Sequence, residues 1–124
     1  MLNKGLKDKE STRIDNVLKT LLPLVFVPEP LAAKNLSDIE SQLGLLGLTV
    51  QDIVNFSPET LAAHLIACHL DWGHLEKFAD FLVQFSHKTD FPVLEKGIYL
   101  YHYIQRESKS FSFEIHHKLT AATK

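Results

Sequence analysis

The sequence predicts an all-α protein: a single compact domain of five to seven helices, packed as an orthogonal bundle or helical-hairpin array. Three observations carry that expectation. Apolar residues recur at i, i+3, i+4 and i+7 through most of the chain, the spacing of one helix face. Capping residues punctuate those stripes at short intervals. No segment sustains period-2 alternation, and no Asn-Gly or Asp-Gly hairpin signal occurs. Only five glycines and five prolines stand among 124 residues, too few turn formers for a loop-rich β-sandwich.

Residues 1–10 are polar and aperiodic, so a frayed N-terminus is expected there, with the helical domain spanning 11–124. A first helix is expected from Ser11 or Thr12, because Ile14, Val17, Leu18, Leu21 and Leu22 fall on one face. Pro23 should end or kink it. Val27-Pro28-Glu29-Pro30 reads as a stiff extended connector. Ser37 with Glu40 three residues on has capping-box spacing and announces a second helix, with Ile39, Leu43 and Leu46 inward and Gly47 placed to stop it. Thr49 with Asp52 repeats the signal before a short helix through Ile53, Val54 and Phe56. Ser57-Pro58-Glu59 is the strongest start in the chain: N-cap, proline at the first helical position, then an acid at the positive end of the dipole. Leu61, Leu65 and Cys68 point inward from that helix, which should run to about Leu70.

Asp71-Trp72-Gly73 is expected to break the chain. Leu75, Phe78, Ala79, Leu82 and Phe85 then mark another amphipathic helix, and Asp90-Phe91-Pro92 another start with proline just inside. Leu94, Ile98, Tyr101 and Ile104 are its expected inward stripe. A polar break at Ser108–Ser112 precedes a last helix carrying Phe113, Ile115 and Leu119 and capped by Ser110 or Ser112, with Phe111 and Phe113 stapling it down. The expected core is Leu65, Phe78, Leu82, Ile98 and Tyr101.

Thirteen basic against fifteen acidic side chains leave a net charge of −2, without the basic excess of a nucleic-acid surface. Lys4, Lys7, Lys9 and Arg13 cluster, but Asp8, Glu10 and Asp15 interleave with them, which reads as a solvated face. The longest apolar run, Leu18 to Val27, is broken by Lys19, Thr20 and Pro23 and is far short of the ~20 residues that span a bilayer. Neither a nucleic-acid nor a membrane partner is therefore expected. A lone cysteine, Cys68, cannot form an internal disulfide, so a reducing, cytoplasmic setting is the expectation. No Gly-x-Ser-x-Gly, phosphate-binding glycine loop or dinucleotide fingerprint is present, so no catalytic residue and no cofactor are assigned.

Seven histidines invite a chemical reading. His64 and Cys68 stand at i, i+4 and share a helix face, while Asp71–His74 and Glu114–His117 have the carboxylate-x-x-His spacing of di-iron bundles. The alternative function is accordingly a metal-binding helical bundle, even a metal-dependent enzyme, drawing on His64, Cys68, His69, His74 and His117. The segment Leu61-Ala62-Ala63-His64-Leu65 with Asp71-Trp72 resembles bacterial metal-binding bundles of the DinB type. That family uses three histidines, two at i, i+4 on a later helix; no His-x-x-x-His pair occurs here, so no ligand set carries over.

The aromatic residues favour a different reading. Tyr99 and Tyr103 lie four apart on a face beside the Tyr101 stripe, with His102 close by, a pattern that either packs another helix within the domain or forms a protein-binding surface. Gly97, Tyr101 and Ile104 resemble the small–aromatic–apolar spacing in the second helix of a tetratricopeptide repeat, but no second copy follows at that repeat's period, and no function is transferred. The leading expectation is a non-enzymatic helical module that binds another protein or itself, with a homodimer as the simplest assembly.

Overall fold

The 3.6-residue stripes become the buried faces of helices. The computed structural model describes the backbone of residues 2–109 and 112–123, with side chains from Lys9 onward. Among these residues there are seven helices and no strand: α1 (Leu2–Val25), α2 (Ala33–Gly44), α3 (Val50–Asn55), α4 (Pro58–Ala67), α5 (Trp72–Lys88), α6 (Leu94–Glu107) and α7 (Phe113–Ala122). One core draws on all seven, so the chain is a single compact domain. No helix among the described residues is long and apolar enough to cross a membrane.

Helix α5 is the hub, packing most extensively on α6 and next on α1. It buries Leu75, Phe78, Ala79, Phe81, Leu82, Val83 and Phe85, more than one stripe, because it has neighbours on more than one side. Its phenylalanines pass ring contacts along the axis, with centroids 5.7 Å apart at Phe78–Phe81 and 5.3 Å at Phe81–Phe85, then on to Phe91 at 5.5 Å. Each such buried side chain stabilises the fold by roughly 1.5–3 kcal/mol. Gly97 sets the closeness of α5 and α6: a Cβ there would lie 2.9 Å from Val83 Cγ2 and 3.1 Å from the Ala79 carbonyl oxygen.

Most caps are as expected. Thr49 and Asp52 exchange side-chain–backbone bonds at 3.0 Å, Ser57 Oγ accepts from Thr60 N, and Ser112 Oγ accepts from Ile115 N. Gly47, at φ +72°, closes α2 with the paired bonds Leu48 N to Leu43 O and Gly47 N to Gly44 O. The same pair closes α4, with His69 at φ 72° in the place a glycine usually takes.

Several boundaries differ from expectation. α1 starts at Leu2 rather than Ser11, since backbone hydrogen bonds need no apolar stripe and lysine and glutamate are good helix formers. It passes Pro23 and stops at Val25, because proline removes only the donor that would reach Lys19, and both residues are exposed. α2 starts at Ala33, where Asn35 Oδ1 accepts from Ala32 N at 2.9 Å; Ser37 is interior. Glu40 instead reaches forward to accept from Val50 N at 2.6 Å, tying α2 to the first turn of α3. α4 ends at Ala67 rather than Leu70, because the left-handed turn at His69 reverses the chain. Pro92 precedes α6 rather than opening it, and Asp90 does not cap it; Thr89 bridges Phe85 O and Phe91 N there. Within α6 the buried line is Gly97, Leu100, Tyr101 and Ile104, which leaves Ile98 and Leu94 half-buried on its flank. Phe113 is 75% exposed, so it does not face inward; Ile115 fills that role, and Phe111 and Ser110 lie outside the described residues.

Candidate functional site

The first turn of α5 fixes one side of the candidate surface. Asp71 is its N-cap: Oδ1 accepts from His74 N at 2.8 Å, and His74 Nδ1 accepts from Asp71 N at 3.2 Å. The expected break therefore lies before Asp71, and Trp72 and Gly73 are already helical. That cap holds Trp72 at the outer surface, 44% exposed. The other side comes from α6. Its core line turns Tyr101 inward, and the helical screw then places Tyr99 and Tyr103 on a half-buried flank.

These elements meet. Trp72 and Tyr103 have ring centroids 6.2 Å apart, and Tyr99 stacks on Tyr103 at the same separation. The Arg106 guanidinium lies over the Tyr103 ring, 5.6 Å from its centroid, and Glu107 accepts from its Nε at 2.9 Å. Bonds to Glu107 and Tyr99 raise the Arg106 pKa, keeping it firmly cationic. Ile66, Leu70, Asp71, Trp72, Leu75 and Tyr103 line a shallow hollow of about 230 Å³, with Ile66 41% exposed. Tyr99 and Tyr103 thus share one face with Trp72, while His102 is exposed on α6 beside it. Trp72, Ile66 and Arg106 were not legible as members, because two of them reach the face from helices other than α6.

The five histidine and cysteine positions considered for metal do not converge. His64 Nε2 donates to the Leu46 carbonyl at 2.8 Å, and Cys68 Sγ donates to the same oxygen at 3.5 Å. Their shared face is real, but it is directed at the end of α2. Burial pushes the Cys68 thiol up, with Arg13 opposing, which disfavours the thiolate a metal or substrate would need. His69 caps α4 and lies 3.6 Å from Glu10. His74 is buried, and its Nε2 donates to Asp15 Oδ1 at 2.8 Å. His117 is exposed on α7. Among the described residues, no group of three or more histidine, cysteine or acidic side chains is placed to hold a metal ion.

A polar network in the α5–α6–α7 cleft went unread in the sequence. Tyr101 Oη donates to Asp80 Oδ1, and Lys118 Nζ donates to Asp80 Oδ2 at 3.1 Å and Glu76 Oε2 at 2.5 Å. Burial, then the bond to Asp80, raises the Tyr101 phenol far above its ordinary range. Burial opposes the Lys118 charge, yet the bonds to Glu76 and Asp80 outweigh it and the net shift is upward. The network anchors α7 to α5, and a cleft of about 240 Å³ adjoins it, bounded by Phe26, Val83, His87 and Ala122.

The aromatic face thus offers flat apolar rings, the Arg106 guanidinium and the carboxylates of Asp71 and Glu107. Compared with known protein families, curated proteins and solved structures, the chain matches none.

Proposed function

We propose that this protein is a helical interaction module whose contact surface is the Ile66–Trp72–Tyr99–Tyr103 face. One observation carries the reading: the chain's only tryptophan stands 44% exposed against Tyr103, beside an exposed Ile66, around an open hollow. Contiguous exposed apolar surface of this kind is stabilised by a partner that removes it from water. Tryptophan, tyrosine and arginine are also the residues in which interface hot spots are enriched. The rings are pre-positioned by packing on one another, so little side-chain entropy is lost on docking.

A photoactivatable residue in place of Trp72, irradiated in the native cell, tests this. A covalent protein–protein adduct is expected, with none from the same residue at exposed Lys34 on α2. Absence of any adduct at position 72 overturns the reading.

A further inference from the structure

We propose that the cleft beside the Tyr101–Asp80–Lys118 network, where α1, α5 and α7 end, binds a small organic cation: a protonated amine carried on a compact apolar body. This site is separate from the aromatic face and does not depend on it.

Three helices finish at the cleft. Phe26 directly follows the last residue of α1, His87 stands in the last turn of α5, and Ala121 and Ala122 close α7; all four line the cleft. A helix C-terminus carries a partial negative charge of roughly half a unit, which favours a cation within the last turn. The fold already uses that preference once, since Lys88 Nζ donates to the Val27 and Glu29 carbonyls just beyond α1.

Formal charge in the cleft has the same sign. Lys118 lines it, but its one ammonium is shared between Asp80 and Glu76. Two carboxylates against one ammonium leave the network one negative charge, while Lys88 and Glu29 at the margin bring one charge of each sign. Asp80 accepts from Tyr101 with one oxygen and from Lys118 with the other. A carboxylate has about four lone-pair sites, so Asp80 can accept a further N–H from a ligand. Gln84 adds an amide oxygen to the same wall, and among the described residues no hydrogen bond occupies it. The Phe26 ring, 57% exposed, and Val83 supply apolar surface, and an aromatic ring also attracts a cation. An anion would find Lys118 already engaged by two carboxylates, and a purely apolar ligand would bury the network's charge uncompensated. At about 240 Å³ the cleft is smaller than the roughly 300–1,000 Å³ of drug-sized sites, which sets the ligand at one ring or a short chain.

Benzylamine is a suitable probe, with benzyl alcohol and benzoate as its neutral and anionic counterparts. At about pH 8 the amine is still protonated and an ordinary imidazole is not, so His87 does not compete. Titration followed by amide NMR should give saturable shifts at Phe26, Gln84, Ala121 and Ala122, with a Kd below about 10 mM, as befits so few atoms. The alcohol and the acid should each bind at least about fivefold more weakly. Gln84 is half-buried on the cleft wall, so its charge can be changed without emptying the core. Gln84→Glu should tighten benzylamine about fivefold and Gln84→Lys weaken it by as much, with helical circular dichroism unchanged. If one of these variants fails to fold, the other decides by the same criterion. Absence of saturable shifts, shifts centred on Trp72 instead, equal binding of the alcohol, or an affinity indifferent to the charge at position 84 overturns the proposal.

Discussion

Replacing His74 with alanine is expected to cost the fold about 2 kcal/mol, and to do so through structure rather than through a lost metal. His74 is 5% exposed and ties the start of α5 to the middle of α1. Its Nδ1 accepts a backbone N–H, so the ring proton sits on Nε2 and is donated to Asp15. A bond to a carboxylate contributes roughly 1.5–3 kcal/mol when both groups are desolvated. Asp15 is 44% exposed and regains water when the imidazole leaves, so about 1 kcal/mol is retained. Deleting the ring leaves roughly 60 Å³ of void at ~24 cal/mol per Å³, about 1.5 kcal/mol if the site does not collapse. Alanine's better helix propensity returns about 0.5 kcal/mol. Urea denaturation reads the sum as a fall in midpoint at constant slope, and the thermal midpoint should fall by about 8 °C. In a double-mutant cycle with Asp15→Ala, the two losses should fall short of additivity by about 1 kcal/mol. A loss under about 0.5 kcal/mol, or strict additivity, would refute the bridge.

Leu82→Ala removes a fully buried side chain from the α5 hub and should cost about 2–5 kcal/mol in the same titration; a change within experimental error places α5 in the wrong orientation. Stability should fall on the alkaline side. Tyr101 and Lys118 both have folded pKa values above their ordinary ones, so their contribution is complete below about pH 10 and is lost as pH rises through the folded values. Thermal midpoints recorded across that range should decline, and less steeply in Tyr101→Phe; an unchanged slope argues against the Asp80 network. Protein purified without a histidine tag is expected to hold no stoichiometric zinc or iron by elemental analysis, and near one metal per chain, lost in His64→Ala or His74→Ala, would restore the metal reading.

What the sequence made legible was local. The stripes of α1, α4 and α5 and the caps at Thr49, Ser57 and Ser112 depend on residues within a turn of one another, and each is where it was expected. The failures came where a local signal was put to long-range use. Ser37-x-x-Glu40 has capping-box spacing, but that spacing equally fits one helix turn, and Glu40 is engaged by Val50 N in the next helix. Asp71-Trp72-Gly73 carried a tryptophan and a glycine that suggested a break, yet the reciprocal bonds between Asp71 and His74 make the same residues a helix start. The candidate face was half visible: Tyr99 and Tyr103 follow from the α6 period, whereas Trp72 and Ile66 join only once α4, α5 and α6 are folded together.

The histidines show why spacing alone cannot assign a metal. A ligating histidine must present an unshared nitrogen lone pair to a point that other ligands also reach. His64 and Cys68 satisfy the spacing and share a target, but the target is the Leu46 carbonyl, an acceptor that calls for donors. That oxygen lies in the turn where Gly47 closes α2, so the two side chains lock the end of α2 to α4. His74 likewise spends both ring nitrogens inside the fold, one on Asp71 N and one on Asp15. His64 supplies a donor to the backbone end of a neighbouring helix, while His74 accepts from the N-cap of its own helix and donates to a side chain in the middle of α1. A chain of short helices has many such ends, and a high histidine count is one way to meet them. Trp72, by contrast, leaves 44% of its surface exposed while its ring packs on the half-buried Tyr103.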